Sequence, residues 1–110
     1  ISGLFCSSSE LTAELTAAAE SADDPVWPMP MGGRYRELLK SNCADLVNTG
    51  NQPHSGASTA ATFLQAFAPK CPWAHLDVAG TANTTGADRQ STARPLPLLM
   101  EWLLARAQRA

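Results

Sequence analysis

The octet Trp73-Ala74-His75-Leu76-Asp77-Val78-Ala79-Gly80 constrains the fold more than any other part of this chain. At the two-residue period of a strand, His75, Asp77 and Ala79 share one face, and Ala74, Leu76 and Val78 share the other. In an α/β protein, a strand with an ionisable pair on one face and a glycine turn at its end delivers that end to a pocket. The small polar residues that follow, from Thr81 to Gly86, fit a loop lining such a pocket.

Helical signals flank the octet. Ser7-Ser8-Ser9-Glu10 predicts a capping box, with Ser7 as cap and Glu10 three residues on. Leu11, Leu15, Ala18 and Ala22 then recur at helical spacing, so a first helix is expected over roughly residues 9 to 21. Before it, Ile1 to Phe5 reads as the end of a strand. After it, Asp23-Asp24-Pro25 is a stop, and the alternating prolines of Trp27-Pro28-Met29-Pro30 force an extended segment that cannot donate to a central ladder.

Gly32-Gly33 marks a turn, and Tyr35, Leu38 and Leu39 a short second helix. Ala44 to Asn48 reads as a strand, and Asn48 to Ser58 as a loop of eleven residues, long enough for a binding or assembly role. Ala57, Ala60 and Ala61, followed by Phe63, Leu64 and Phe67, predict a third helix with a small, closely packing side. A last helix is expected near Pro95, with Leu96, Leu99, Met100, Trp102 and Leu103 around much of its circumference. Two to three short strands cannot close a sheet of usual size, so the remaining strands are expected from sequence outside these residues.

Composition points the same way. Charged residues are 16% of the chain and apolar ones 45%, against about 25% charged in a typical soluble domain. With so little material for a solvated surface, extensive contact with other protein is expected, from the same subunit or its neighbours. The formal net charge of -2 gives no electrostatic reason to expect nucleic acid, since Arg34, Arg36 and Lys40 form the only close basic group. No apolar run reaches the length of a membrane span, and no basic-then-apolar leader is read at the start. Cys6, Cys43 and Cys71 are odd in number and widely spaced, which predicts reduced, buried thiols.

The octet and an ordered set of further pieces resemble the leucyl aminopeptidases. These pieces are Gly3-Leu4-Phe5, Trp27-Pro28-Met29-Pro30-Met31, Tyr35 with Leu38 and Leu39, Ser41, Ala44-Asp45, Asn48-Thr49-Gly50, Gly56 to Leu64, and Thr92-Ala93-Arg94-Pro95. Each alone is weak; their order and spacing make the set specific. The resemblance covers nearly all of residues 1–110 and only the last third of the family's sequence. It implies a C-terminal portion of a three-layer α/β/α catalytic domain with a mixed sheet, of which this chain supplies a part.

The resemblance also implies an activity and its equipment. The family releases N-terminal amino acids from peptides, using two divalent metal ions, zinc or manganese, that polarise the peptide carbonyl and supply the attacking hydroxide. Its metal ligands lie in a signature upstream of the matched region, so no metal ligand and no catalytic residue is expected in this chain. Expected partners are the upstream part of the enzyme, a peptide substrate and a homo-hexamer of complete subunits. The expected compartment is the cytoplasm, or an organelle matrix. A non-catalytic structural or assembly subunit derived from the family is the alternative.

Carried over by position, Ala79 and Ala82 correspond to residues lining the pocket for the substrate's N-terminal side chain. Thr49 corresponds to a position facing the second residue of the substrate. His75 and Asp77 invite a metal reading, but same-face neighbours on a strand lie ~6.5–7 Å apart without a third partner, so a structural hydrogen-bonded role is expected. Cys43, His54, Cys71 and His75 match no common zinc spacing, and His54 is expected at solvent or an interface. Ala93 stands where the family usually has glycine; a positive φ there would cost about 1 kcal/mol.

Overall fold

The computed structural model describes residues 1–49 and 53–110; Gly50, which closes one resembling motif, and Asn51 and Gln52 of the long loop lie outside the described residues. Its centre is β1 (Ser2–Cys6), which pairs in parallel with β2 (Val26–Pro28) and antiparallel with β3 (Ala74–Asp77), giving a mixed sheet in the order β2-β1-β3. The proline-bearing strand is thus at an edge, where its missing N–H groups leave no ladder bond unmade. Met29 N–H continues the pairing, donating to the Leu4 carbonyl at 2.8 Å.

Helix α1 (Ser9–Ser21) follows the predicted span, but its cap differs. Ser8, not Ser7, is the N-cap, its hydroxyl accepting from Leu11 N–H at 3.3 Å. The Ser7 hydroxyl is occupied elsewhere: it donates to the Trp73 carbonyl and accepts from Trp73 N–H at 2.9 Å, tying the exit of β1 to the entry of β3. With Ser8 as cap, Glu10 falls at the second helical position, and the expected capping box is absent.

One face of the sheet and two helices make the core. Leu4, Leu11, Leu15, Ala19 and Leu98 form a buried cluster, joined by Leu76, Ala74, Val26, Leu99 and Trp102. Leu98 belongs to α4 (Leu96–Arg109), which packs along α1. Pro95 stands at the N-cap, one position ahead of the predicted first turn. Glu14 of α1 clasps α4: its carboxylate accepts from Trp102 Nε1 at 2.9 Å, Arg106 at 2.9 Å and Arg109 at 3.2 Å. Those arginines therefore answer a carboxylate on the neighbouring helix as well as their own C-terminal dipole. At the other end of α4, Arg94 lies 3.4 Å from the buried Asp24 carboxylate.

The opposite face of the sheet is covered differently. Phe5 is fully buried there, and α3 (Gly56–Gln65) packs on β1 and against the short α2 (Arg34–Glu37). The chain thus has helix, sheet and helix layers. Helix α3 begins two residues before the predicted loop end and buries Ser58, Thr59, Ala61 and Thr62. Ala61 and its small neighbours allow the close approach expected of an alanine side, whereas Ala60 is exposed, as are Leu64 and Phe67.

Two local expectations fail. Ala44 to Asn48 forms no strand: the Ser41 hydroxyl accepts from the N–H groups of Cys43 and Ala44, curling the chain into a turn, and Val47 N–H returns to the Leu39 carbonyl. The thiols are free as expected, but only Cys6 is even half-buried; Cys43 and Cys71 are exposed.

Candidate functional site

Beyond Asp77 the chain leaves the sheet through a tight turn. Thr81 N–H and Ala82 N–H both donate to the Val78 carbonyl, at 3.0 and 2.8 Å, and Asp77 Oδ1 accepts from Ala79 N–H at 3.0 Å. Asp77 therefore fixes the backbone of the residue two positions on, an Asx-type turn. The Thr81 hydroxyl, buried, bonds that of Ser2 at 2.8 Å, pinning the turn to the start of β1. Thr92 adds a second anchor by donating to the Thr81 carbonyl. Small polar residues at 81 and 92 are thus the local reason why this turn holds one shape.

His75 has the structural role expected, but by another interaction. Its ring stacks on Trp73 at 6.3 Å between centroids and lies 5.8 Å from that of Phe5, its cross-strand partner. No side-chain hydrogen bond to His75 occurs among the described residues, so aromatic packing replaces the predicted hydrogen bond. Among the described residues no three His, Cys, Asp or Glu side chains converge as a metal site would require. The described side chains therefore do not by themselves form a metal centre.

Where the turn meets the sheet end there is a hollow of about 470 Å³, walled by Gly3, Trp27, Met29, Ala57, Asp77 and Ala79. Ala79 is exposed on this wall. Trp27 and Met29, 66% and 39% exposed, form the opposite side, a lining that carried no predicted role. No local pattern marks it: both side chains reach the hollow through the place of β2 beside β1. Gly3 forms the floor, where a Cβ would come within 3.2 Å of the buried Phe5 ring and require it to shift by a few tenths of an ångström.

The other predicted pocket residues are placed apart. Ala82 is half-buried in the turn, with its N–H bonded to Val78 and its carbonyl accepting from Thr92 N–H at 2.9 Å. Thr49 is exposed; its neighbour Asn48 borders a different hollow, of about 700 Å³, with Val47, Phe63 and Phe67. His54 is exposed, as expected.

A mixed sheet between helical layers, with a pinned turn and an apolar hollow at the strand end, defines an α/β protein. Residues 1–100 match the model of the cytosol aminopeptidase family, catalytic domain. A probable cytosol aminopeptidase of Burkholderia cenocepacia is 51% identical over 106 residues, 96% of this chain and 21% of that protein. One of Paraburkholderia xenovorans is 50% identical over the same shares. Among solved structures, a tomato leucine aminopeptidase variant superposes with a TM-score of 0.87 at 37% identity, over 94% of this chain and 20% of that one. The cytosol aminopeptidase of Coxiella burnetii gives 0.85 at 34%, over 96% of this chain and 24% of that one.

The chain belongs to the cytosol aminopeptidase family. It spans about one fifth of the length of the relatives it matches.

Proposed function

We propose that this chain is the C-terminal part of a leucyl aminopeptidase that removes N-terminal residues from peptides in the cytoplasm. It supplies scaffold, one wall of the substrate pocket and assembly contacts. The two divalent metals, zinc or manganese, are held by residues outside it. Isolated, the chain is inactive. In the complete enzyme, subunits associate as a hexamer.

The observation that carries this reading is the position of Ala79: a small, exposed side chain on a turn pinned by Asp77, Ser2 and Thr92, at the rim of an apolar hollow. A rigid wall with a small residue leaves room for a bulky apolar side chain, whose burial is worth roughly 1.5–3 kcal/mol. Ala82, in the same turn, is assigned to the pocket for the N-terminal side chain, and Thr49, which stands apart beside the second hollow, to the place of the second substrate residue; both assignments rest on the resemblance.

In the full-length enzyme, Ala79→Phe fills the space of the substrate side chain. Activity on leucyl substrates should fall at least tenfold more than on alanyl or glycyl ones, at unchanged metal content. An equal loss on all of them would indicate misfolding, and no loss would remove Ala79 from the pocket.

A further inference from the structure

We infer that α4 is the middle helix of its layer, and that its uncovered side receives a helix from the part of the same subunit outside this chain. The inference rests on the family reading above. It starts from spacing: Leu96, Met100, Leu103 and Ala107 recur at intervals of four, three and four, the seam that a neighbouring helix fills by knobs-into-holes packing at a shallow angle. Leu96, Met100 and Leu103 are 57%, 49% and 54% exposed, and Leu104 beside them 50%.

The seam lies roughly opposite the residues that meet α1. At 100° per residue, Leu98 and Trp102 point to one side of α4 and Leu96, Met100 and Ala107 to the other. Trp102 bonds Glu14 of α1, and Leu98 sits in the cluster with Leu11 and Leu15. Between the two apolar sides, Leu99 packs on the core, while Glu101 and Gln108 are exposed. A helix with apolar strips on two opposite flanks, core on a third side and polar residues on the fourth has the pattern of one flanked by helices within a layer.

Area and length decide the occupant. The four large side chains offer on the order of 400 Å², about half of the ~800 Å² per partner in a standard complex, too little for a second copy to bind by this face alone. The relatives are about five times as long as the matched segment, ample for one more helix. The seam spans on the order of 16 Å, about three turns.

The test uses the full-length protein with Met100→Cys and Leu103→Cys made singly, labelled by a maleimide and mapped by peptide mass. Both sites should label at least tenfold more slowly than in urea, at every concentration, including dilutions at which subunits have separated. Glu101→Cys, on the polar side, should label rapidly. Fast labelling at 100 and 103 would overturn the inference, and protection confined to the oligomer would transfer the seam to a second copy and overturn it equally. A leucyl-peptide assay on the same samples separates the two proposals: protected sites in an inactive protein would sustain the helix seam and break the functional reading.

Discussion

The two faces of the sheet are finished to different degrees. On the α1 and α4 side, five buried side chains interlock, a carboxylate clasps the helices together, and the sheet contributes Leu4 and Leu76 to the cluster. On the α2 and α3 side, the buried surface of α3 is small and partly polar, while Phe67 stands 70% exposed and Leu64 43%. Phe67, just past the end of α3, and Leu64 on it leave apolar surface in water beside a helix whose own buried face is largely serine and threonine. Between sheet and helices the α1 and α4 half is thus a closed core, even though the far flank of α4 is bare, whereas the α3 half is a core cut open.

The largest effect expected from this asymmetry concerns the isolated chain. With three strands, two unfinished helix faces and few charges, it should aggregate or melt without a cooperative transition, in calorimetry or by circular dichroism. A soluble monomer with a sharp melt would mean that the exposed faces need no cover, and the comparison would lose its basis.

Within the full-length protein, single truncations grade the two faces. Leu98→Ala removes a fully buried member of the cluster and should cost 2–5 kcal/mol, in the range of core leucine truncations. Phe67→Ala separates two accounts of the open face. If complementary protein covers Phe67, the loss approaches about 3 kcal/mol; if the ring stays in water, it is within about 0.5 kcal/mol. Chemical denaturation of both variants decides between them, and a small loss at 67 would return α3 to the surface.

The finished half was also the more legible in sequence. The span of α1 followed from Leu11, Leu15 and Ala18, because one stripe meets one core and periodicity reports it directly. The edge position of β2 followed from proline chemistry. Failures came where a side chain found a competing partner: Ser7 left the helix cap for Trp73, sixty-six residues on, and Ser41, by accepting from the nearby N–H groups of Cys43 and Ala44, curled a segment that reads as strand. The pocket was legible as a strand end and a turn, but Trp27 and Met29 reach it through β2's place in the sheet, which no local pattern states.

A smaller effect tests the clasp that closes the finished half. Hydrogen bonding from Trp102 Nε1, with the charges of Arg106 and Arg109, holds the Glu14 carboxyl below its ordinary 4.5. A depressed carboxyl contributes stability that is present above the unfolded value and is lost as pH falls through the folded one. Wild-type stability should therefore decline below about pH 4.5 more steeply than that of Glu14→Gln. Parallel acid limbs for the two proteins would show that the helices are held by apolar packing alone.

The smallest effect is a gain, at the entry to the well-packed α4. Ala93 has φ 60°, in the left-handed region, where the Cβ of an L-residue costs about 1–2 kcal/mol. Glycine removes that cost but enlarges the unfolded ensemble, returning about 0.4–1 kcal/mol. The difference favours Ala93→Gly by roughly 0.5–1 kcal/mol in denaturant unfolding of the full-length protein. Asp23, at φ 50° where α1 ends, is the control: aspartate tolerates this region better than alanine, so Asp23→Gly should give less than half that gain. Equal gains at both sites would mean that backbone strain is shared by both ends of this layer instead of being concentrated where α4 begins. No gain at Ala93 would mean that the Cβ there carries no excess cost over the entropy that glycine adds to the unfolded chain.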